Sequence, residues 1–285
     1  MDKNIIAAIT LFLLLAPAFC YSQCPVKNAQ SKCELQQKTD ALDNVLEQLR
    51  ERTEQLKSYQ ADVEFLFEQP LFDSQALRKG TLYYARSVKG SKLRMNFQTL
   101  KQDDEKQQNY REHFILDGLW LTQIDYQLKT AKRYQTAEPN ALADANKPID
   151  TFELLSKNFP IVGFSRVEDL KKQFEITLLL QSESEPSPFI GLHLKVKPGS
   201  VYKDDYTSMD FWIDKKTHLP AKIVAISTEE DVYEIRLLKA KINKAIDDSI
   251  FDFNIPKGFT VEVTTLKKDI EQNAKAEESQ RPHVQ

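Results

Sequence analysis

The sequence predicts a mainly β fold with a helical lid (α+β): an unclosed antiparallel β-barrel of about 11 strands with helices across its mouth. Three observations lead to this prediction. Apolar and polar residues alternate with period two over most of residues 59–263. One long amphipathic helix pattern precedes the strands, and a loop with a short helix interrupts them once. So many strands joined by short turns must stack as two sheets or curl into a barrel, and an open barrel gives both helical pieces a place.

Residues 1–22 have the pattern of a secretory signal peptide. Lys3 precedes a short apolar run, and small residues surround a cleavage point after Ser22. The run is too short for a permanent membrane anchor, and neither Cys20 nor Cys24 follows the small residues that a lipoprotein signal requires. We therefore expect an exported, soluble protein.

The segment 23–34 contains the two cysteines that remain after signal cleavage, Cys24 and Cys33. In an oxidising compartment a local disulfide between them is the expected outcome. Metal binding is the alternative reading. Two thiols with no histidine nearby make a poor zinc site, so no metal is expected.

The charge balance argues against a nucleic-acid partner. The chain has 39 basic and 42 acidic residues and a formal net charge of −3, whereas phosphate binding needs a basic surplus on some face. The last residues, 266–285, are charged and poor in apolar side chains, which predicts a solvated tail.

Residues 35–56 predict a long amphipathic helix, because apolar residues recur there at helical spacing. Its stripe consists of Leu35, Leu42, Val45, Leu46, Leu49 and Leu56. Half-buried antiparallel strands follow, and their alternating apolar residues are Val63, Phe65, Phe67, Leu82, Tyr84, Leu93, Met95 and Phe97. Asp117 and Gly118 then predict the turn of a hairpin that carries Trp120 near its tip.

The stretch EPNALADANKPIDTFELLSKNFP, with three prolines, predicts a loop and a short helix near Leu155. Strands resume after it and continue to residue 263. Their alternating apolar positions are Phe174, Ile176, Leu178, Ile190, Leu192, Leu194, Met209, Phe211, Ile213, Ile223, Ala225, Ile235, Leu237, Val261 and Val263.

Enzyme signatures are missing from the sequence. The seven glycines form no phosphate-binding loop, no serine lies in a GxSxG motif, and paired acids fall where turns are predicted. His113 and His193 lie on polar strand phases, which predicts solvated side chains. We therefore expect no catalytic residues, no cofactor and no enzymatic activity. Apolar residues on both phases, as in LWLTQID, instead suggest that one face meets something apolar that the sequence lacks, such as a lipid chain.

Four motifs in order resemble the LolA-like outer-membrane lipoprotein carriers, a lipoprotein-sorting family of periplasmic lipid-binding half-barrels. They are GTLYYARSVKGSKLRMNF from residue 80, DGLWLTQIDYQLKTAKRY from residue 117, FWIDKKTHLPAKI from residue 211 and FDFNIPKGFTVEV from residue 251. The resemblance covers residues 35–265, which we treat as one domain. It implies an apolar cavity that holds acyl chains beneath a helical lid.

The resemblance implies a carrier of lipid or lipoprotein acyl chains across the envelope, with inner- and outer-membrane transport proteins as further partners. The alternative is an envelope sensor or protein-interaction module of the same fold. The residues expected to line the cavity are Leu93, Met95, Phe97, Phe114, Leu116, Trp120, Phe174, Ile176 and Leu178. In relatives an arginine helps to hold the lid shut, and Arg86 and Arg94 lie in the matching motif, although Ser87 replaces the usual proline.

Overall fold

The computed structural model describes residues 26–87, 90–136, 167–179 and 187–265, and the side chains of the first helix from Thr39 onward. The chain forms two compact units, residues 1–40 and residues 41–285. All side-chain contacts discussed below lie in the second unit. Cys24, the helix predicted near Leu155 and the tail 266–285 lie outside the described residues, so the Cys24–Cys33 disulfide stays a prediction.

In the described ranges, twelve strands form one open sheet. The helices are α1 (Val26–Glu54) and α2 (Val167–Gln173), and the strands are β1 (Ser58–Gln69), β2 (Ser74–Ser87), β3 (Gly90–Gln102), β4 (Gln108–Asp117), β5 (Trp120–Asp125), β6 (Thr130–Gln135), β7 (Phe174–Leu178), β8 (Phe189–Val196), β9 (Tyr206–Asp214), β10 (Pro220–Ser227), β11 (Val232–Ile242) and β12 (Thr260–Thr264). Their order in the sheet is β12-β6-β5-β4-β3-β2-β1-β11-β10-β9-β8-β7. The predicted mainly β, unclosed architecture with helices is therefore confirmed. The strands form a single sheet and do not stack as two.

The last strand departs from the predicted antiparallel arrangement, because β12 pairs with β6 in parallel. An antiparallel meander would place β12 beside β11. Both edges of β11 are already occupied, by β1 on one side and β10 on the other. The chain therefore reaches the free edge of β6 instead.

Helix α1 begins at Val26, ahead of the predicted start at residue 35. Residues 26–34 are mostly polar helix formers without an apolar stripe, so hydrophobic periodicity cannot reveal them. The short helix α2, with buried Val167 and Leu170, was not predicted either.

The face of the sheet that carries Val63, Leu82 and Phe211 is called the apolar face, and the other the opposite face. The first cluster on the apolar face consists of Leu56, Tyr59, Ala61, Val63, Phe65, Leu82, Tyr84, Leu93, Met95, Phe97, Phe114, Leu116, Leu121, Leu219, Ile235 and Leu237. The second cluster consists of Val45, Leu46, Leu49, Val167, Leu170, Phe174, Leu192, Leu194, Tyr202, Tyr206, Met209, Phe211, Ile213, Ile223 and Ala225.

The opposite face of β4–β6 is covered by a segment near the end of the described chain, residues 248–259, called the strap. Phe253, Ile255 and Phe259 of the strap pack against a third cluster of buried residues, Ile115, Ile124 and Ala131. One phase of β4 and β5 is therefore apolar because the strap covers it, and the other phase belongs to the first cluster. The sequence-based expectation that one of these phases meets an external apolar molecule stays a prediction, and it concerns the phase of Phe114, Leu116 and Leu121, because the strap meets the other.

Candidate functional site

The apolar face is continuous from β5 to β7 along two rows, because the directly opposed residues in these rows are all apolar. Two rows cross it: Leu121, Leu116, Leu93, Tyr84 and Tyr59 from β5 to β1, and Phe65, Ile235, Ile223, Phe211, Leu192 and Leu178 from β1 to β7. Such cross-strand pairs are within contact distance of each other. The first and second clusters are therefore one continuous apolar surface.

The two halves of this surface differ in what packs on them. The second cluster includes Val45, Leu46 and Leu49 of α1 together with both buried residues of α2. In the described part of the chain, the first cluster is built from strand residues apart from Leu56 and Leu219. Helical cover in the described residues is thus concentrated over β7–β10. The side chains of the first cluster are nevertheless almost fully buried, none of them more than 5% exposed.

The structure brings most of the predicted cavity residues together. Leu93, Met95, Phe97, Phe114 and Leu116 all belong to the first cluster and are almost fully buried. The β3–β4 register explains this, because it places Met95 opposite Phe114 and Leu93 opposite Leu116. Phe174 lies in the second cluster, and Ile176 and Leu178 pack against it.

Trp120 does not join this set. Strand alternation places it on the phase of Ile124, which belongs to the third cluster, whereas Leu121 belongs to the first. The guanidinium carbon of Arg133 lies 4.9 Å from the centre of its ring. Both phases of β5 are apolar in sequence, so alternation alone could not decide which phase faces the first cluster. Strand periodicity also placed Leu82, Tyr84 and Ile235 on apolar phases, but they were not named among the cavity residues, although they belong to the first cluster.

A polar cluster adjoins the first cluster where β3 meets β4. The Glu112 carboxylate, which is buried, accepts hydrogen bonds from Tyr110 Oη at 3.0 Å and Gln123 Nε2 at 2.8 Å. Arg78 Nη1 lies 3.3 Å from the same carboxylate. Burial and the neighbouring Glu112 charge raise the pKa of Tyr110. Because Phe97 lies directly opposite Glu112, these groups border the apolar surface with a fixed polar patch.

Arg86 connects the sheet with the end of α1. Its Nη1 donates to the carbonyl oxygen of Glu54 at 3.0 Å, and its Nη2 to that of Thr53 at 3.4 Å. Its Nε donates to the hydroxyl of Tyr84, at 3.0 Å. The carbonyl groups of the last helical turn have no partner within the helix, and a guanidinium is well placed to satisfy them.

Arg94 makes the corresponding contacts on the opposite face. Its Nη1 donates to the carbonyl oxygens of Ile250 at 2.6 Å and Asp252 at 2.8 Å, so that it holds the strap and not α1. Its Nη2 lies 3.2 Å from Nδ1 of His113. His113 is buried, so the prediction that it is solvated was wrong. Burial, and then the positive charges of Arg94 and Arg111, lower the pKa of His113 to about 4.

The described residues give no sign of a metal centre, because no three His, Cys, Asp or Glu side chains among them are grouped to bind an ion. None of the helices in the described ranges is both long and apolar enough to cross a membrane.

The sequence itself has no matched relatives: no protein-family model matches it, and no curated protein does. Solved structures do match. An uncharacterised conserved protein from Thermus thermophilus is 10% identical, with 79% of this chain and 99% of that chain covered and a TM-score of 0.44. A LolA superfamily protein from Nitrosomonas europaea is 13% identical, with 74% and 97% covered and a TM-score of 0.33.

The complex of MucA and MucB from Pseudomonas aeruginosa also matches, at 14% identity and a TM-score of 0.39. The match covers 74% of this chain but only 60% of that chain. These likenesses concern the fold alone.

Proposed function

We propose that this protein is a periplasmic carrier that binds the acyl chain of a lipid or lipoprotein on the apolar face of its sheet, without covalent chemistry. The observation that supports it is the asymmetry of cover: an apolar surface runs from β5 to β7, while the described helices pack on its β7–β10 half. A single acyl chain along β1–β5 would match the chemistry of the half that lacks described helical cover. Because the side chains there are almost fully buried, binding requires this half to open.

Burial of the chain supplies enough free energy by itself. Removing one methylene from water contributes about 0.8 kcal/mol, so ten methylenes contribute on the order of 8 kcal/mol, which corresponds to a micromolar dissociation constant. No charged anchor is required. The polar patch around Glu112 would limit the depth of the chain, because an alkyl tail placed against Arg78 and Glu112 would break their hydrogen bonds without replacing them.

Arg86 is our candidate for holding the cover in place. Its bonds to Thr53 and Glu54 join the end of α1 to Tyr84, a member of the first cluster. Since Arg86 is exposed, these bonds can break and re-form at modest cost, as entry and release of a chain require. Arg94 was a second candidate from sequence. Its bonds to the strap favour a structural role on the opposite face instead.

The compartment and the further partners rest on the sequence. The signal-like residues 1–22 and the cysteine pair at 24 and 33 support export to an oxidising periplasm. A carrier there would receive its cargo from an inner-membrane transport protein and deliver it to an outer-membrane one. The alternative is an envelope sensor or interaction module whose apolar face takes a segment of another protein.

Binding of cis-parinaric acid, a fatty acid whose fluorescence rises in apolar surroundings, tests the proposal. We expect about one site with a micromolar dissociation constant. Phe97→Glu places a charge in the first cluster and should weaken binding at least tenfold, whereas Gln98→Glu, exposed in the same strand, should leave it unchanged. A folded wild-type protein that binds no parinaric acid and carries no lipid after purification would refute the carrier and leave the interaction module.

A further inference from the structure

The tip of the β1–β2 hairpin exposes two large apolar side chains next to each other. Leu71 is 75% exposed and Phe72 is 74% exposed. Strand pairing continues up to Gln69 and Ser74, so the residues between them form the extreme end of the hairpin. Single exposed apolar residues are common on protein surfaces. Two large ones side by side on a projecting turn are less common.

The turn is held in one conformation. Pro70 opens a 3₁₀ turn over Pro70–Phe72, and the amide of Asp73 donates to the carbonyl oxygen of Pro70 at 3.3 Å. Asp73 has a φ of 49°, in the left-handed region that aspartate adopts more readily than most residues. The backbone of the turn is therefore closed by its own hydrogen bond, while both apolar side chains remain exposed.

Acidic turns flank this tip on both sides. On one side Asp103 accepts a bond from the amide of Gln75 at 2.7 Å and carries exposed Asp104 and Glu105 beside it. On the other side Gln69 Nε2 lies 3.5 Å from the carboxylate of Asp231, whose turn also contains exposed Glu229 and Glu230.

We propose that the Leu71–Phe72 tip is a docking site for a protein surface that offers an apolar pocket rimmed by lysine or arginine. The carboxylates at the rim complement basic side chains and steer them to the tip. The same charges disfavour a bilayer surface, because anionic headgroups would repel them. A second copy of the chain fits less well, since a two-fold contact through this end would bring the acidic turns together. This inference goes beyond the proposed function and does not depend on it.

A fluorescein-labelled amphipathic peptide, with leucines on one helical face and lysines beside them, offers this chemistry in the simplest form. We expect it to bind the full chain with an affinity that falls as salt is added. The Leu71→Ser and Phe72→Ser double variant should bind it at least tenfold more weakly, and Asp104→Lys with Glu105→Lys should also weaken binding. Leu128→Ser is the matched control: Leu128 is 73% exposed on another turn, and its loss should change nothing.

Three outcomes would overturn the inference. The first is equal peptide binding by the wild type and the double variant, each with the same thermal unfolding midpoint. The second is displacement of the peptide by oleate, which would place it on the apolar face. The third is tip-dependent binding to vesicles of phosphatidylcholine and phosphatidylglycerol, which would identify a membrane and not a protein as the occupant.

Discussion

The guanidinium of Arg86 donates a hydrogen bond of 3.0 Å to the carbonyl oxygen of Glu54, the last residue of α1. The two residues are far apart in sequence and belong to a strand and a helix. The same side chain also bonds the hydroxyl of Tyr84, which lies in the first cluster. One exposed arginine thus connects the helical cover, the sheet and the apolar surface.

Arg86→Met should speed both entry and release of parinaric acid. The variant removes the bonds to the last turn of α1, and two exposed hydrogen bonds contribute about 1 kcal/mol, so we expect both rates to rise roughly fivefold. Stopped-flow fluorescence measures them. Arg52→Met, which removes another exposed arginine from the last turn of α1, is the control. Rates equal to those of the wild type would end the proposed role of Arg86.

Arg94→Met should loosen the strap and leave lipid binding intact. The carbonyl oxygens of Ile250 and Asp252 would lose a charged donor, at a cost of about 2 kcal/mol. Hydrogen exchange is expected to become faster over residues 248–264, while parinaric acid affinity stays the same because the strap covers the opposite face. A weaker affinity for parinaric acid without faster hydrogen exchange over residues 248–264 would contradict this and favour the role of Arg94 in holding the lid shut.

Acid should destabilise the protein through His113. Its pKa is about 4 in the folded chain against an ordinary value of 6.5, so the unfolded chain binds more protons between these values. Stability is therefore full above the unfolded pKa and is lost as the pH falls towards 4. Allowing for screening by residual water, this group accounts for about 2 kcal/mol.

Urea unfolding at about pH 7 and about pH 4.5 tests this for the wild type and His113→Gln, which retains a hydrogen-bond acceptor. The variant should lose less stability than the wild type between the two pH values. Identical losses would show that His113 titrates normally.

Met95 and Met209 offer a matched pair for the two halves of the apolar face. Both are almost fully buried, Met95 in the first cluster and Met209 in the second, beneath α1. Shortening a buried side chain lowers the free energy of unfolding most where the surrounding elements cannot move in to fill the space it leaves. We expect Met209→Ala to cost about 3 kcal/mol and Met95→Ala about 1 to 2 kcal/mol. Calorimetry or urea unfolding gives the values, and a larger cost at Met95 would argue for a tightly packed core along β1–β5.

Local alternation predicted the strands and much of the candidate site. Met95 and Phe114 occupy apolar phases of adjacent strands, and pairing these strands in register necessarily brings them together. The charged Arg86 and Arg94 were identified from a motif, and both were found to bind backbone carbonyl oxygens.

The predictions that were wrong depended on contacts between parts of the chain that lie far apart in sequence. The burial of His113 follows from the strap, which returns from residues 248–259 to cover β4–β6. Nothing near His113 in sequence indicates this cover. The parallel pairing of β12 likewise follows from the occupied edges of β11, which only the complete sheet order reveals.

Quenching of an introduced tryptophan by a brominated fatty acid tests the carrier most directly, because bromine quenches only near contact. Both native tryptophans lie off the apolar face: Trp120 shares the phase of Ile124, and Trp212 alternates with Phe211 and Ile213. Phe97→Trp places a reporter within the first cluster, and Gln98→Trp is its exposed control in the same strand. The account predicts strong, saturable quenching in Phe97→Trp beyond that in the wild type and Gln98→Trp. Equal quenching in all three folded proteins would contradict it.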